Sequence, residues 1–388
     1  MEGPTTESFP EVREAIRAIC ATYDDRYWRR KDKEGTFPED FYRAIADGGW
    51  LGIAAPEAYG GSELGMSGAL AMLQTVAESG AGMNGGTAVK INIFGLNPVI
   101  KYGTEAQKKA MIPEIISGRE KTCFAITEPD VGLNTTQIKT RAVRAGDVYR
   151  VSGAKTWIST ARVADRMLLL ARTTPLERVK KATDGLSLFL TPLDRKYVEV
   201  REIERMGRCA VDANQVFIDD LPVPASDLIG EEGKGFRYVF DSMNPERMVV
   251  AAEAVGIGRA ALRKASKYAV ERRVFGRPIG QNQGIQHPLA RCWMELEAAN
   301  LMAVHAADLY DHGKPCGLQA NAAKYLASEA GFRACETAIM TLGGNGFAKE
   351  FDVERYLRDI FVARIAPITP ELIFSYVAEK ALGLPKSY

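Results

Sequence analysis

The sequence predicts an α+β multidomain chain in three consecutive parts: a helical N-terminal domain over residues 1–121, a middle β domain over 122–230 and a helical bundle over 231–388. Three observations predict it. Apolar residues recur at helical spacing in the first part, as in Leu70, Leu73, Val76 and Ala77. From Cys123 to Ile218 the texture changes to short apolar runs separated by turn residues. After Gly230-Glu231-Glu232-Gly233-Lys234-Gly235 the pattern is helical to the end.

The first part opens with two expected helices in residues 8–50. One follows Phe9-Pro10, and the second starts at Thr36-Phe37-Pro38-Glu39-Asp40 with Pro38 in its first turn. Trp50 to Gly61 is a short apolar segment closed by a Gly-rich turn. Ser67 to Gly118 reads as helical, and Thr104-Glu105-Ala106-Gln107 reads as a capped helix start. In the second part the strand-like runs are Cys123–Thr127, Val148–Val151, Met167–Ala171, Leu186–Leu190, Val198–Val200 and Gln215–Ile218. Their spacing suggests a sandwich or barrel.

Bulk properties narrow the function. The chain has 388 residues, 46% hydrophobic and 26% charged, as in an ordinary globular protein. A formal net charge of +1 and the lack of a basic stretch argue against nucleic-acid binding. The six cysteines are widely spaced without a CxxC pair, which fits reduced thiols rather than a disulfide framework or zinc site. No window approaches the roughly 20 apolar residues of a membrane span. The acidic N-terminus lacks a signal or transit pattern, so the expected location is cytoplasmic.

Four stretches carry the chemistry. Thr341–Glu371 opens with the turn Gly343-Gly344-Asn345-Gly346, where backbone can approach a ligand closely, and ends in a proline-shaped loop, Ile365-Ala366-Pro367-Ile368-Thr369-Pro370. The others are Ala125-Ile126-Thr127-Glu128-Pro129-Asp130-Val131-Gly132, Lys155-Thr156-Trp157-Ile158-Ser159, and Arg272-Arg273-Val274-Phe275-Gly276-Arg277-Pro278-Ile279 with Asn282-Gln283. Together, in this order and spacing, they resemble the acyl-CoA dehydrogenase superfamily over nearly the whole chain. Residues 125–134 match the first half of a signature resembling A-x-T-E-P-x-A-G-S-D. Leu342–Phe347 fit one resembling Q-x-x-G-G-x-G-aromatic. Val131, Leu133, Asn134, Val274 and Met340 depart from the family pattern.

The resemblance implies a C-terminal four-helix bundle, FAD as cofactor, an acyl-CoA or other acyl-thioester substrate, an electron-transfer flavoprotein as partner, and a homo-oligomer, most often a tetramer. It implies that Ile126 and Thr127 border the flavin, with Thr127 on the pyrimidine edge, that Trp157 packs on the isoalloxazine and that Ser159 lies near N5. Arg272, Phe275 and Gln283 are expected to reach a partner subunit's cofactor, Gly343 and Gly344 its adenosine half, and Thr369 the pyrophosphate. Taken alone, Trp157 would read as a core tryptophan and Arg272 and Arg277 as a solvated face.

The family's usual base is a glutamate in a tail motif resembling Y-E-G-T. Aligned through Arg358-Asp359 and Thr369, that glutamate falls on Pro367, which supplies neither a carboxylate nor an N–H. A minority of the family carries the base on a helix, immediately before a buried arginine. Asn244-Pro245-Glu246-Arg247 matches, making Glu246 the candidate base and Met243 and Arg247 candidate substrate contacts. The competing view takes Pro245 as a first-turn proline and Glu246 as a carboxylate favoured by the helix dipole. Lys90 reads as a surface lysine, or, if it faces the acyl pocket, as a contact for a polar acyl end. The leading expectation is acyl-CoA dehydrogenation. The alternative is changed chemistry on the same fold: an enoyl-CoA reductase, a desulfinase-like elimination, or an oxidase or oxygenase on a non-thioester substrate.

Overall fold

The computed structural model describes residues 8–387, so most of the acidic start of the chain lies outside the described residues. The first part holds seven helices: α1 (Pro10–Cys20), α2 (Asp25–Glu34), α3 (Glu39–Asp47), α4 (Gly65–Val76), α5 (Gly82–Phe94), α6 (Asn97–Tyr102) and α7 (Glu105–Ile116). Three helices, not two, precede Trp50. The additional one, α2, is DRYWRRKDKE, too polar to show an apolar stripe. Its ends carry the signal instead: the Asp24 side chain accepts from Tyr27 N–H at 3.0 Å, and Gly35 closes the helix at φ 62°. At α7, Thr104 and Gln107 form a reciprocal capping box.

Eight strands follow: β1 (Thr122–Ala125), β2 (Arg141–Ala145), β3 (Val148–Ser159), β4 (Arg166–Arg172), β5 (Leu186–Pro192), β6 (Val198–Glu202), β7 (Ala213–Pro224) and β8 (Leu228–Ile229). They form one sheet in the order β6-β7-β3-β2-β4-β5-β8, with β1 parallel to β4. A single residue pair, Arg141 with Arg172, joins β2 to β4. The two halves face one another across a shared core, because Tyr149, Val151 and Val216 from one half pack with Met167, Leu169 and Phe189 from the other. Alternation along β4 sends Leu168 and Leu170 to the opposite face, against Ile112 and Ile115 of α7.

The last part contains α8 (Gly235–Glu271), a hairpin of β9 (Arg273–Val274) and β10 (Arg277–Pro278), α9 (Gln283–Asp311), α10 (Gly317–Leu342), the short α11 (Gly344–Phe347), α12 (Val353–Ile365) and α13 (Pro370–Leu382). The first and last parts bury one continuous apolar core, in which Ile16, Trp28, Phe41 and Leu73 meet Val249, Ile257, Leu296 and Ile360.

α8 runs unbroken for 37 residues through Pro245. The first-turn reading of Pro245 is therefore overturned: Glu246 sits in a helix interior and receives no N-terminal dipole. A proline inside a helix frees the carbonyl four residues back, here that of Asp241. Asn97 Nδ2 at the start of α6 donates to that carbonyl at 3.3 Å, while Asn97 Oδ1 accepts from Tyr310 O–H at 3.0 Å. This substitute donor explains how the helix tolerates the proline. Replacing Asn97 with alanine is expected to lower stability by about 1–3 kcal/mol, read from urea unfolding followed by circular dichroism.

Candidate active site

The site begins where β3 leaves regular pairing. Lys155 pairs with Val216 and Ile158 with Asn214, so an extra residue bulges between them. Trp157 takes the left-handed conformation there, φ 60°, and its side chain turns out of the sheet, 60% exposed. That disposes of the core-tryptophan reading. Thr156 N–H donates to Thr127 O at 2.9 Å and fixes the Ile126–Glu128 segment beside the bulge. Beneath it, buried Lys155 donates to Ile126 O at 3.0 Å, Glu128 Oε1 at 3.0 Å and Leu170 O at 2.8 Å. Burial pushes the Lys155 ammonium down to about 8, opposed by Glu128. Burial acts to raise the Glu128 carboxyl, but Lys155 and the backbone N–H groups of Lys139 and Thr140 hold it below its ordinary value. Thr127, Trp157 and Ser159 are thus presented side by side on a rigid base.

Ser159 Oγ accepts from Arg208 Nη2 at 3.0 Å. Arg208 itself has φ 56°, and its N–H donates to buried Asp359 of α12 at 2.5 Å. Its charge acts on Glu253, a fully buried carboxylate of α8. Glu253 Oε2 accepts from Lys90 Nζ of α5 at 2.6 Å. Lys90 is 6% exposed, so the surface-lysine reading is overturned, and its ammonium is already matched by Glu253. Glu246 lies seven residues before Glu253 on the same face of α8. Burial raises the Glu246 carboxyl to about 7, against the pull of Lys90 and Arg247.

Arg247 is buried, 6% exposed. Its Nη1 donates to Asn244 Oδ1 at 2.8 Å, and its Nε has no partner among the described residues. Met243 packs against the sheet-side apolar cluster. The Pro367 loop breaks the chain between α12 and α13. Fully buried Lys324 of α10 holds it, donating to Arg364 O at 3.2 Å and Ile368 O at 2.7 Å, and Thr369 precedes α13.

A second cluster lies at the far end of α8, roughly 38 Å along the axis from Glu246 at 1.5 Å per residue. Here Phe275 and Gly276, both at positive φ, turn the β9–β10 hairpin and leave the Phe275 ring 100% exposed. Arg272 and Gln283 are exposed beside it. Asn345 bonds Tyr268 O–H at 3.2 Å, and Arg272 N–H bonds Tyr268 O at 2.8 Å, which joins the glycine turn to the hairpin. A Cβ at Gly343 or Gly344 would meet nothing within 4 Å, so this turn borders open space. Exposed aromatic rings, hydroxyls and an open glycine turn are a donor set suited to an aromatic dinucleotide and its phosphates.

Models of the acyl-CoA dehydrogenase N-terminal, middle and C-terminal domains match residues 6–119, 123–221 and 233–381. The chain belongs to the acyl-CoA dehydrogenase family. It is an FAD-dependent oxidoreductase acting on CH–CH groups. Acyl-CoA dehydrogenase FadE12 of Mycobacterium tuberculosis is 37% identical over 387 residues, 99% of this chain and 98% of that protein. The caffeyl-CoA reductase–Etf complex subunit CarC of Acetobacterium woodii is 34% identical, over 92% of this chain and 94% of its own length. The solved butyryl-CoA dehydrogenase of Megasphaera elsdenii superposes with a TM-score of 0.92 at 26% identity, covering 99% of this chain and 100% of that one.

Arg208, Glu253 and Lys324 border the candidate site and were not singled out by sequence reading, and the pairing of Lys155 with Glu128 was not foreseen although both lie in the quoted stretches. Glu253 had a usable signal, since it is a lone carboxylate in the apolar run Met248–Ile257. Arg208 sits in an irregular loop and had none. Lys155→Met leaves Glu128 buried without its cation, and the expected loss is about 3–5 kcal/mol of stability, measured by chemical denaturation of the FAD-loaded protein.

Proposed function

We propose that this member of the family dehydrogenates an acyl-CoA to the 2-enoyl-CoA, with Glu246 taking the α-proton. The observation that carries the reading is a partly buried carboxylate inside α8, raised to about 7 and engaged by no hydrogen bond among the described residues. Such a group accepts a proton near neutral pH with little cost in leaving other partners. Thr127, Trp157 and Ser159 are the residues that would hold the flavin ring, and bound FAD would supply the acceptor for the β-hydride. Pro367 cannot donate to the thioester oxygen. Arg247, whose Nε–H lacks a partner among the described residues, is a donor available beside the base.

A second reading rests on Pro367 as well. Without the usual tail carboxylate and N–H, the same fold could run as an enoyl-CoA reductase, as the name of the CarC relative illustrates for that protein. It could also serve as a desulfinase or oxidase on another substrate. That relative's name also supports an electron-transfer flavoprotein as the redox partner of this chain. Phe275, Trp293, Met294, Met340 and Phe347 are exposed near the hairpin, on α9 and on α10–α11, which supports a second copy covering them and sharing the flavin site.

Anaerobic bleaching of the yellow holoprotein by a panel of acyl-CoAs tests the main reading. Glu246→Gln is expected to slow bleaching by about 10²–10⁴-fold with FAD content unchanged; near-wild-type bleaching removes Glu246 as base. Because the base must be ionised, the rate falls as pH falls, with an acid limb centred near pH 7. No bleaching by any acyl-CoA favours the second reading. Phe275→Asp is expected to reduce both the oligomer, in analytical ultracentrifugation, and the FAD retained on purification.

A further inference from the structure

We propose that Arg208 is a positioning residue for Ser159: its guanidinium occupies a lone pair of the Ser159 hydroxyl and leaves the hydroxyl proton as a donor for the cofactor ring. The inference rests on the reading that Ser159 borders the flavin.

Arg208 lies in the loop over 203–212, between β6 and β7. The loop has no regular structure of its own, yet three consecutive backbone N–H groups in it are each taken by a side chain from a different helix. Asp359 Oδ1 of α12 accepts from Arg208 N–H at 2.5 Å, Asp32 Oδ1 of α2 from Cys209 N–H at 3.3 Å, and Asn84 Oδ1 of α5 from Ala210 N–H at 2.9 Å. The three holders are themselves linked. Asn84 Nδ2 donates to Asp359 Oδ2 at 3.0 Å, and Arg358 Nη2 of α12 donates to Asp32 Oδ2 at 2.9 Å. Arg358 Nη1 also donates to Met206 O at 2.9 Å, and a Cβ on Gly207 would fall 2.5 Å from Arg358 O. The clamp keeps Arg208 at φ 56°, a left-handed conformation that a side-chain-bearing residue holds only where its surroundings impose it.

The clamped loop delivers one side-chain contact to the site. Arg208 Nη2 donates to Ser159 Oγ at 3.0 Å, and the guanidinium makes no other hydrogen bond among the described residues. A guanidinium has donors and no acceptor, whereas a hydroxyl has one donor and two lone pairs. Bonded to Arg208, the Ser159 hydroxyl must turn its proton away from the guanidinium. A charge-assisted bond is about twice as strong as a neutral one, so the rotor is fixed and not merely biased. Among the described residues that proton has no acceptor. The next hydroxyl along the chain is different: Thr160 Oγ1 donates to Thr122 O at 2.9 Å and Ser159 O at 2.6 Å, and is spent inside the protein. Ser159 is therefore held as an unspent donor beside Trp157. A donor fixed before the ring arrives loses no rotor freedom when it bonds.

The test is a double-mutant cycle in the FAD-loaded protein, read as the FAD dissociation constant from equilibrium dialysis and as the visible absorption of the bound flavin. Ser159→Ala and Arg208→Met should each weaken FAD binding by about fivefold to tenfold, as the loss of one hydrogen bond does. Both should give the same difference spectrum. In the double variant the second substitution should add less than about twofold, because neither side chain acts without the other. Arg208→Lys keeps a cation and an N–H donor and should restore the constant to within about twofold of wild type. If Arg208→Met does not fold, Arg208→Gln takes its place in the cycle, since its amide oxygen can draw the hydroxyl proton away from the ring. Losses that add, an Arg208 substitution without effect, or a lysine variant no better than the neutral one each overturn the role assigned to Arg208. Ser159→Ala separates the two levels. If it leaves both the constant and the spectrum unchanged, Ser159 does not border the flavin, and that reading falls together with the inference. If it weakens binding while the Arg208 loss adds to it in full, the reading stands and only the inference falls.

Discussion

The continuity of α8 is the constraint on which the rest depends. One helix of 37 residues starts against the sheet, crosses the N-terminal helices, and ends at the exposed hairpin. At its start Gly235 lies so close to β5 that a Cβ would fall 2.5 Å from Leu188 N. Along its middle it presents Glu246, Arg247 and Glu253 inward. At its end it delivers Arg272 and Phe275 to a surface far from that base. Breaking the helix at Pro245 would uncouple the sheet-side Trp157 and Ser159 from the carboxylate face. The Asn97 side chain keeps that from being necessary by supplying the donor that proline lacks.

Because α8 is buried on most sides, an unpaired charge on it is costly. Three buried charges at the centre are answered from other elements: Glu253 by Lys90, Asp359 by the backbone N–H of Arg208, and Lys324 by the carbonyls of the Pro367 loop. Glu246 accepts no hydrogen bond among the described residues. A structural carboxylate would be saturated with donors, as Glu128 is. An unsaturated one in the same interior is disposed to exchange a proton.

The tail loop is held by a buried side chain from a neighbouring helix. Lys324 clamps carbonyls on both sides of Pro367, adding to the bond from Ala366 N–H to Val362 O at 2.8 Å. The carboxylate near this region lies instead on the helix, at Glu246. Proline at 367 has no N–H, and the Arg247 guanidinium keeps its Nε without a partner among the described residues.

The sequence by itself determined the order of helical and β parts, the strand cores from Cys123 to Ile218, the glycine turn at Gly343 and the absence of a carboxylate at Pro367. These are local properties: periodicity, turn chemistry, and the residue type at a motif position. It missed α2, whose capping residues outweighed a polar composition, and it set Pro245 at a helix start because proline reads locally as a boundary. Only the tertiary structure decided that Lys90 is buried, that Glu253 faces it across α5 and α8, and that Arg208 joins them to Ser159. These contacts join residues 163 and 49 positions apart in the chain, and no local pattern encodes which segment will supply the partner.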